Sequence, residues 1–529
     1  MIQEAIYYSR MALGIREFIR HPAVADPMGA LRFQMEHREE HFLDLARRIV
    51  FANPQHPYHE MFRIAGCTEQ DLADEVARRG LEAALANLLD AGVYLTHDEF
   101  KGRTQIVRGG KEIPATPAAF LNPLVHGYIE TRSSGSRGPA VSARHGTDLS
   151  VYRTVYQLLE KREFALAGRA LALVRPVLPS ALGIQNSLSA NFVGQRAHKW
   201  FAPQNRLRES WHYRAMTGAL VWFGRAHGAP LPLPESLPHN DFSPVARWLT
   251  EAKRRGRLGL VYSYVSAAVR VAAAAREAGL DISGTVFLAG GEPLTDAKRA
   301  TIEAAGCGVV SRYFINEIGH IGSGCRQMRS GNRVHVFRDG VAVIGRKRRA
   351  PLSDVEVDSL LFTTLLPLTT RFLINAEMDD AGVIEPADCR CEFSAHGMNT
   401  AVRDIYSYGK LTGQGVTLMG SDALRVLEVA LPARFGGSPG DYQLAEIDAA
   451  GQTELVLRVS QRVGSVSTSA VHDFFLSEIR RYYGGSLAAR LWGNAAGLHV
   501  VVQEPAMTQG GKVLTLQTVS SKTGTQHAT

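Results

Sequence analysis

The stretch Gly259–Phe314, GLVYSYVSAAVRVAAAAREAGLDISGTVFLAGGEPLTDAKRATIEAAGCGVVSRYF, decides the fold. Gly259–Tyr264, Gly284–Ala289 and Gly308–Phe314 are short runs rich in β-branched and aromatic residues, the composition that suits a pleated, half-buried surface. Between the first two lies an alanine-rich helical pattern closed by Gly279, and between the last two a helix that begins near Thr295 and stops at Gly306. Strand–helix–strand–helix–strand at this spacing predicts parallel strands joined by right-handed crossovers. Ligands on such sheets sit beyond the carboxyl ends of the strands. Those ends are Gly290-Gly291-Glu292 and Tyr313–Glu317.

Upstream, the first ~130 residues read mostly as helices by apolar spacing. Leu72–Leu89 is expected as one helix with Gly92 as its stop, and Asp148 as the cap of a long helix through Tyr152, Leu158, Leu159 and Phe164. Downstream of Gly409 the pattern changes. Leu418–Leu431 reads as helix, Tyr442–Ile447 and Glu454–Val459 as a hairpin about Asp448–Gly451, and Val471–Tyr483 as helix. This makes a small α+β unit of about 110 residues. The tail after Ser520 is small and polar and is expected to fray. The division is therefore a large domain over 1–408, helical over about 1–125, and a small domain over 409–529.

The 529 residues carry a net charge of +8 and 45% hydrophobic residues. Global disorder is excluded by that apolar content. The mild positive balance suits an anionic small molecule and falls short of the dense basic stripe of a nucleic-acid binder. No membrane span is expected: Leu260–Ala275 is broken by Arg270, and Leu360–Ile374 carries Arg371. The N-terminus does not read as a signal peptide, and five cysteines are too few for a disulfide scaffold, so a reducing cytoplasm is expected.

Three motifs carry candidate chemistry. The loop Ser133-Ser134-Gly135-Ser136-Arg137-Gly138-Pro139 crowds hydroxyls and glycines, which suits phosphate oxygens or, equally, a flexible surface loop. It lacks the Lys-Ser/Thr pair of a P-loop. Gly290-Gly291-Glu292-Pro293-Leu294 leaves room for a flat ring or a phosphate, or is an ordinary strand-to-helix turn. Tyr313-Phe314-Ile315-Asn316-Glu317 puts an aromatic, an amide and a carboxylate at a strand end, a group able to stack on a base and hold magnesium.

In order and spacing the three resemble the motifs of the adenylate-forming superfamily of acyl and aryl ligases, most closely the phenylacetate–CoA ligase-like branch, over roughly residues 100 to 520. The resemblance implies a large α/β domain with parallel sheets and a small mobile C-terminal domain. It implies activation of a small carboxylic acid by ATP and Mg2+, followed by transfer to coenzyme A. Ser133, Ser134, Gly135, Ser136 and Gly138 would hold phosphate. Gly290, Gly291, Glu292 and Pro293 would border adenine, with Tyr313 stacked on it. Asn316 would donate to a phosphate oxygen and Glu317 would hold magnesium. Asn375–Asp380 (NAEMDD) is similar to the segment whose aspartate binds ribose, which assigns that role to Asp380. Gly409-Lys410 is similar to the interdomain hinge, and Lys512 to the C-terminal lysine of adenylation. Ala140, Phe314, Asn316, Asp379 and Lys410 depart from the usual residues. Two alternatives stay open: an adenylating ligase that passes the acyl group to a carrier-protein thiol, an amine or another acceptor, and a non-catalytic nucleotide-binding relative. A homodimer is compatible with either.

The cysteines give an independent signal. Cys389-Arg390-Cys391, Cys325 and His335 supply three thiolates and an imidazole, a complete tetrahedral zinc set; the alternative is four unrelated residues. The branch named above often carries such residues at equivalent places, which implies structural zinc. Cys67 and Cys307 are expected to be buried. Arg346-Lys347-Arg348-Arg349 reads as a solvated turn before a coenzyme A contact, His126 as structural before substrate-facing, and Tyr264 equally as pocket wall or core.

Overall fold

The computed structural model describes residues 2–125, 128–132, 142–203, 211–238, 241–349, 356–407, 420–449, 452–481, 498–508 and 511–519. Two small hairpins come first, β1 (Ile106–Arg108) with β2 (Lys111–Ile113), and β3 (Tyr128–Arg132) with β4 (Ser142–Gly146). The main sheet has twelve strands: β5 (Ala170–Val174), β6 (Ala197–Pro203), β7 (Pro234–Leu237), β8 (Gly259–Tyr264), β9 (Val286–Gly290), β10 (Gly308–Ile315), β11 (Gly319–Ser323), β12 (Val334–Val336), β13 (Val341–Arg349), β14 (Glu356–Thr364), β15 (Ala376–Pro386) and β16 (Thr400–Ser407). Their order is β13-β14-β15-β16-β12-β11-β10-β9-β8-β5-β6-β7.

The expected parallel unit is present: β8, β9 and β10 pair in parallel, joined by the helices Val265–Glu277 and Asp296–Glu303. Thr295 caps the second helix by accepting from the Lys298 amide. All six residues of β8 are buried because the sheet is covered on both faces. Alternate residues go to opposite cores. Leu171, Leu173, Leu260, Tyr262 and Leu288 pack with Trp200 and the N-terminal helix Ile2–Arg20. Ala172, Val174, Val261, Phe287 and Ala289 pack against the helices Ser243–Arg254 and Val265–Glu277. A third core joins the helices between Phe42 and Phe100 to the antiparallel half of the sheet.

The C-terminal segment builds its own four-stranded sheet from β17 (Tyr442–Ala449), β18 (Gln452–Val459), β19 (Leu498–Val502) and β20 (Leu516–Val519), in the order β19-β18-β17-β20. β17 and β18 form the expected hairpin, with Asp448 opposite Thr453. The helix Thr468–Ile479 packs on this sheet through Val471, Phe475 and Ile479.

Three local expectations need correction. Leu72–Leu89 is two helices, Glu69–Arg79 and Leu81–Asp90, because Gly80 sits at φ +81° and ends the first. Asp148 is not a cap: the helix starts at Thr147 after Gly146, breaks at Arg153, and Asp148 instead pairs with His21 at 2.7 Å. Arg346–Arg349 is not a turn but part of β13. Arg346 and Arg348 both reach the buried Glu377, while Lys347, on the other face, pairs with Glu356. No helix among the described residues is long and apolar enough to cross a membrane.

Candidate functional site

The carboxyl ends of β8, β9 and β10 bring four of the sequence-selected segments to one sheet edge. At the end of β9, a Cβ on Gly290 would stand 2.5 Å from the Arg312 carbonyl oxygen, so the close strand pairing there demands glycine. Gly291 lies at φ +78°, and a Cβ there would stand 3.1 Å from the Tyr264 ring and 3.2 Å from Lys512 Nζ. The bare Cα thus lets Tyr264 and Lys512 meet over the turn. Glu292 is turned into the fold: its carboxylate accepts from the Ser266 amide at 2.8 Å and hydroxyl at 2.9 Å. Burial raises its pKa, against the opposing charges of Lys298 and Lys512. Gly290–Leu294 is therefore a strand-to-helix turn stapled to the next helix, whatever else it contacts. Lys298 donates to the Pro293 carbonyl at 3.4 Å.

Lys512 comes from the C-terminal segment. The Thr508 amide donates to the Lys512 carbonyl at 2.7 Å and the Gly511 amide to the Thr508 carbonyl at 2.9 Å, closing a tight turn. Gly511, at φ +78°, rests against Pro176 just past β5. The Val513 amide donates to Ser266 Oγ at 3.3 Å. These contacts seat the turn on the large sheet and place Lys512 Nζ 5.3 Å from the Tyr264 ring centroid. Tyr264 is buried, and Arg175 lies 4.7 Å from the same ring, so this tyrosine carries two cations.

One strand over, the Tyr313 hydroxyl donates to Asp380 Oδ2 at 2.7 Å. Burial, then the Asp380 charge, holds the phenol well above its ordinary range. Asp380 pairs in register with Ser407, the last residue of β16. Its neighbour Asp379 stands at φ +61°, with Oδ2 3.0 Å from His97 Nδ1. Glu317 forms an ion pair with Lys101. Burial pushes its pKa up, but the Lys101 ammonium outweighs that and the net shift is downward, so Glu317 is a carboxylate at neutral pH. Asn316 is exposed between these two acids' segments. Phe314 is also exposed, with its ring centroid 5.2 Å from that of His320.

His97 and Lys101 escaped the sequence reading. They belong to the short helix His97–Phe100 and its C-cap, and a signal was present: Thr96 and Glu99 form a capping box that starts this helix and sets His97 and Lys101 four residues apart, on one face. Arg175 and Ser266 were missed because nothing local marks them. The loop residues Ser133, Ser134, Gly135, Ser136, Gly138 and Ala140, together with His126, Gly409, Lys410 and Gly510, lie outside the described residues.

The four zinc candidates do converge, on the opposite side of β10. Cys325, His335, Cys389 and Cys391 have their ligand atoms all within 4.8 Å of one another. Cys325–Cys389 and Cys389–Cys391 are 3.7 Å apart, sulfur to sulfur, too long for disulfides. His335 Nε2 stands 3.1 Å from Cys389 Sγ and 3.3 Å from Cys391 Sγ. Zn–S bonds of about 2.3 Å at tetrahedral angles put sulfurs about 3.8 Å apart, so the donor set fits. His335 Nδ1 lies 2.7 Å from the Met398 carbonyl oxygen, which fixes the tautomer that leaves Nε2 as a donor to metal. The Glu163 carboxylate accepts from the Arg326 and Glu392 amides, both at 3.0 Å, and so ties together the two segments that carry the thiols. The contact with Cys325 draws the Cys391 thiol below its ordinary range; burial opposes this and His335 supports it. Cys307 is buried as expected, whereas Cys67 is only half-buried.

No family model and no curated protein matches the chain. Among solved structures it is similar to 2-hydroxyisobutyryl-CoA ligase in the postadenylation state, with 15% identity and a TM-score of 0.49 over 90% of this chain and 88% of that one. ATP-bound MatB from Rhodopseudomonas palustris gives 13% identity and a TM-score of 0.43 over 76% and 71%. The amide bond synthetase McbA from Marinactinospora thermotolerans gives 12% and 0.41 over 92% and 98%.

Proposed function

We propose that this chain is an AMP-forming ligase that activates a small carboxylic acid as its acyl-adenylate and passes the acyl group to coenzyme A. One observation carries the reading most directly. Lys512, from a segment with its own sheet and core, is seated on Tyr264 and Gly291 at the strand ends where a ligand belongs on such a sheet. Attack of a carboxylate on the α-phosphorus of ATP expels pyrophosphate and builds charge on phosphate oxygens. The chemistry calls for cations and N–H donors and no covalent nucleophile. Lys512 supplies one such cation. Glu317 is a half-buried, ionised oxygen ligand suited to Mg2+, which would neutralise phosphate charge when bound. Lys101 keeps Glu317 ionised, and Glu317 would be the residue to hold the ion. Asp380, oriented by the Tyr313 hydroxyl, is the acceptor for ribose hydroxyls. The phenylacetate–CoA ligase-like branch, the division at 408/409, and phosphate and hinge roles for Ser133–Gly138 and Lys410 belong to the same proposal.

The test is ATP–pyrophosphate exchange with a panel of carboxylic acids, followed by coenzyme A addition. Acid-dependent exchange with no thioester would move the acceptor to an amine or a carrier thiol. The absence of exchange with every acid and of ATP binding would overturn the reading. Glu317→Gln removes the hard anionic ligand, and its exchange activity should fall with magnesium no longer saturating at millimolar levels. Asp380→Ala should weaken ATP binding roughly 10- to 100-fold, the worth of a charge-assisted hydrogen bond of about 1.5–3 kcal/mol. Isothermal titration checks this; an unchanged affinity would transfer the ribose contact to Asp379.

A further inference from the structure

The parallel strands have a second edge. The amino ends of β5, β6 and β8, at Ala170, Ala197 and Gly259, lie opposite the edge that carries Tyr264 and Gly290. At about 3.3 Å per residue, six residues of strand separate the two edges by about 20 Å. On this far edge is a cleft of about 410 Å³ between the entry to β6, the end of the helix Trp211–Ala226 and the connection into β8. Its polar lining is Arg196, His198, Arg225 and Arg257, its apolar wall is the Pro230–Pro232 turn, and no acidic side chain lines it.

The arginines are not neutralised. Among the described residues, Arg196, Arg225 and Arg257 form no ion pair, while the nearby acid Glu235 is taken by Lys199 on β6. Arg225 is held in place: its Nε donates to the Leu231 carbonyl at 2.7 Å and its guanidinium lies 5.1 Å from the Trp222 ring centroid. His198 Nδ1 lies 3.2 Å from the Leu171 amide and accepts from it, so the neutral ring carries its proton on Nε2, a donor. Burial, then Arg257 and Arg196, lowers the His198 pKa. Three like charges gathered round one concavity repel each other, and folding alone gains nothing from that arrangement. An anion would repay it. Guanidinium forks match phosphate oxygens in pairs, and the volume is that of a small-molecule site.

We propose that this cleft binds a small polyphosphate, a ligand with two or more phosphate groups, at a site separate from the reaction centre. The test uses the full chain carrying Lys512→Ala, so that binding at the reaction edge is weakened, with inorganic triphosphate as the probe. Histidines are 13C-labelled at Cε1, and His198→Gln assigns the signal. Saturating triphosphate should raise the His198 pKa, because the bound anion cancels the field of Arg196 and Arg257. Arg196→Gln/Arg257→Gln should weaken binding at least tenfold by titration calorimetry. Both arginines are exposed, so the variant should fold, and Arg225→Lys provides a second one. An ATP arm, read at His198 alone because ATP also has the reaction edge to bind, asks whether a nucleoside is tolerated: a His198 pKa raised by ATP as by triphosphate supports the site, and a His198 pKa that ATP leaves unmoved while triphosphate moves it restricts the site to the free polyphosphate. A His198 pKa that triphosphate does not move, or equal affinity in the double variant, overturns it. So does duplex RNA that competes as tightly as triphosphate, since the charge would then belong to an extended basic surface.

Discussion

Lys512→Ala should lower ATP–pyrophosphate exchange by about 100- to 1,000-fold while leaving the protein folded. Removing one preorganised donor aimed at developing charge typically has that effect, about 2.7–4 kcal/mol in the barrier. The fold should survive because Lys512 is half-exposed, and the turn that presents it is held by backbone bonds, by Gly511 against Pro176 and by Val513 on Ser266, none of which needs the ammonium. The variant also takes a cation from the Tyr264 ring and from the buried Glu292, whose charge Lys298 still opposes. Capture of a chemically supplied acyl-adenylate should persist, because that half-reaction forms no charge on a leaving pyrophosphate. The contrast between the two half-reactions separates a catalytic lysine from a merely structural one. Unchanged exchange in the variant would remove Lys512 from the site.

The sequence was most legible where one period dominates. Gly259–Phe314 shows compact β runs with a glycine stop after each helix, and the strands and crossovers fall within two residues of expectation. It was less legible where a run of one residue type hides an alternation. Four consecutive basic residues look solvated, yet their side chains alternate across β13, and two of them converge on Glu377. Helix breaks at Gly80 and Arg153 escaped because apolar spacing continues across both. The partners of the site acids were invisible for a different reason. Lys101 and Glu317 are 216 residues apart, and the packing of the short helix His97–Phe100 against β15, beside the bridge between Leu95 and Ala376, brings the N-terminal part to that edge. Chemistry sometimes substitutes for proximity. Three cysteines and a histidine scattered over more than sixty residues were legible as one set because few other functions call for those four side chains together.

That set leads to the remaining large effect. Protein isolated without a histidine tag should carry one zinc ion per chain on Cys325, His335, Cys389 and Cys391. The four donors fill a tetrahedral shell and leave no position for water or substrate, so the ion is structural. Cys325 and Cys389 are 64 residues apart, and clipping a loop of that length restricts the unfolded chain. The metal also binds the folded state preferentially, because the unfolded chain has no assembled site. Around it lies a small core of Leu149, Tyr156, Met328, Phe337, Phe393 and Met398, with the Phe393 ring centroid 5.3 Å from that of His335. Losing the ion frees the Cys389–Cys391 segment and loosens that core against the helix Thr154–Glu163, whose Glu163 braces both thiol-bearing segments. A loss of about 5 kcal/mol, spread over the large unfolding entropy of a chain this size, lowers the melting temperature by about 5 °C. Cys389→Ser should show that drop with zinc content near zero, and chelation of the wild-type protein should reproduce it. Metal analysis near zero in the wild type, with Cys389 and Cys391 freely titratable in the native state, would leave four side chains that meet without an ion.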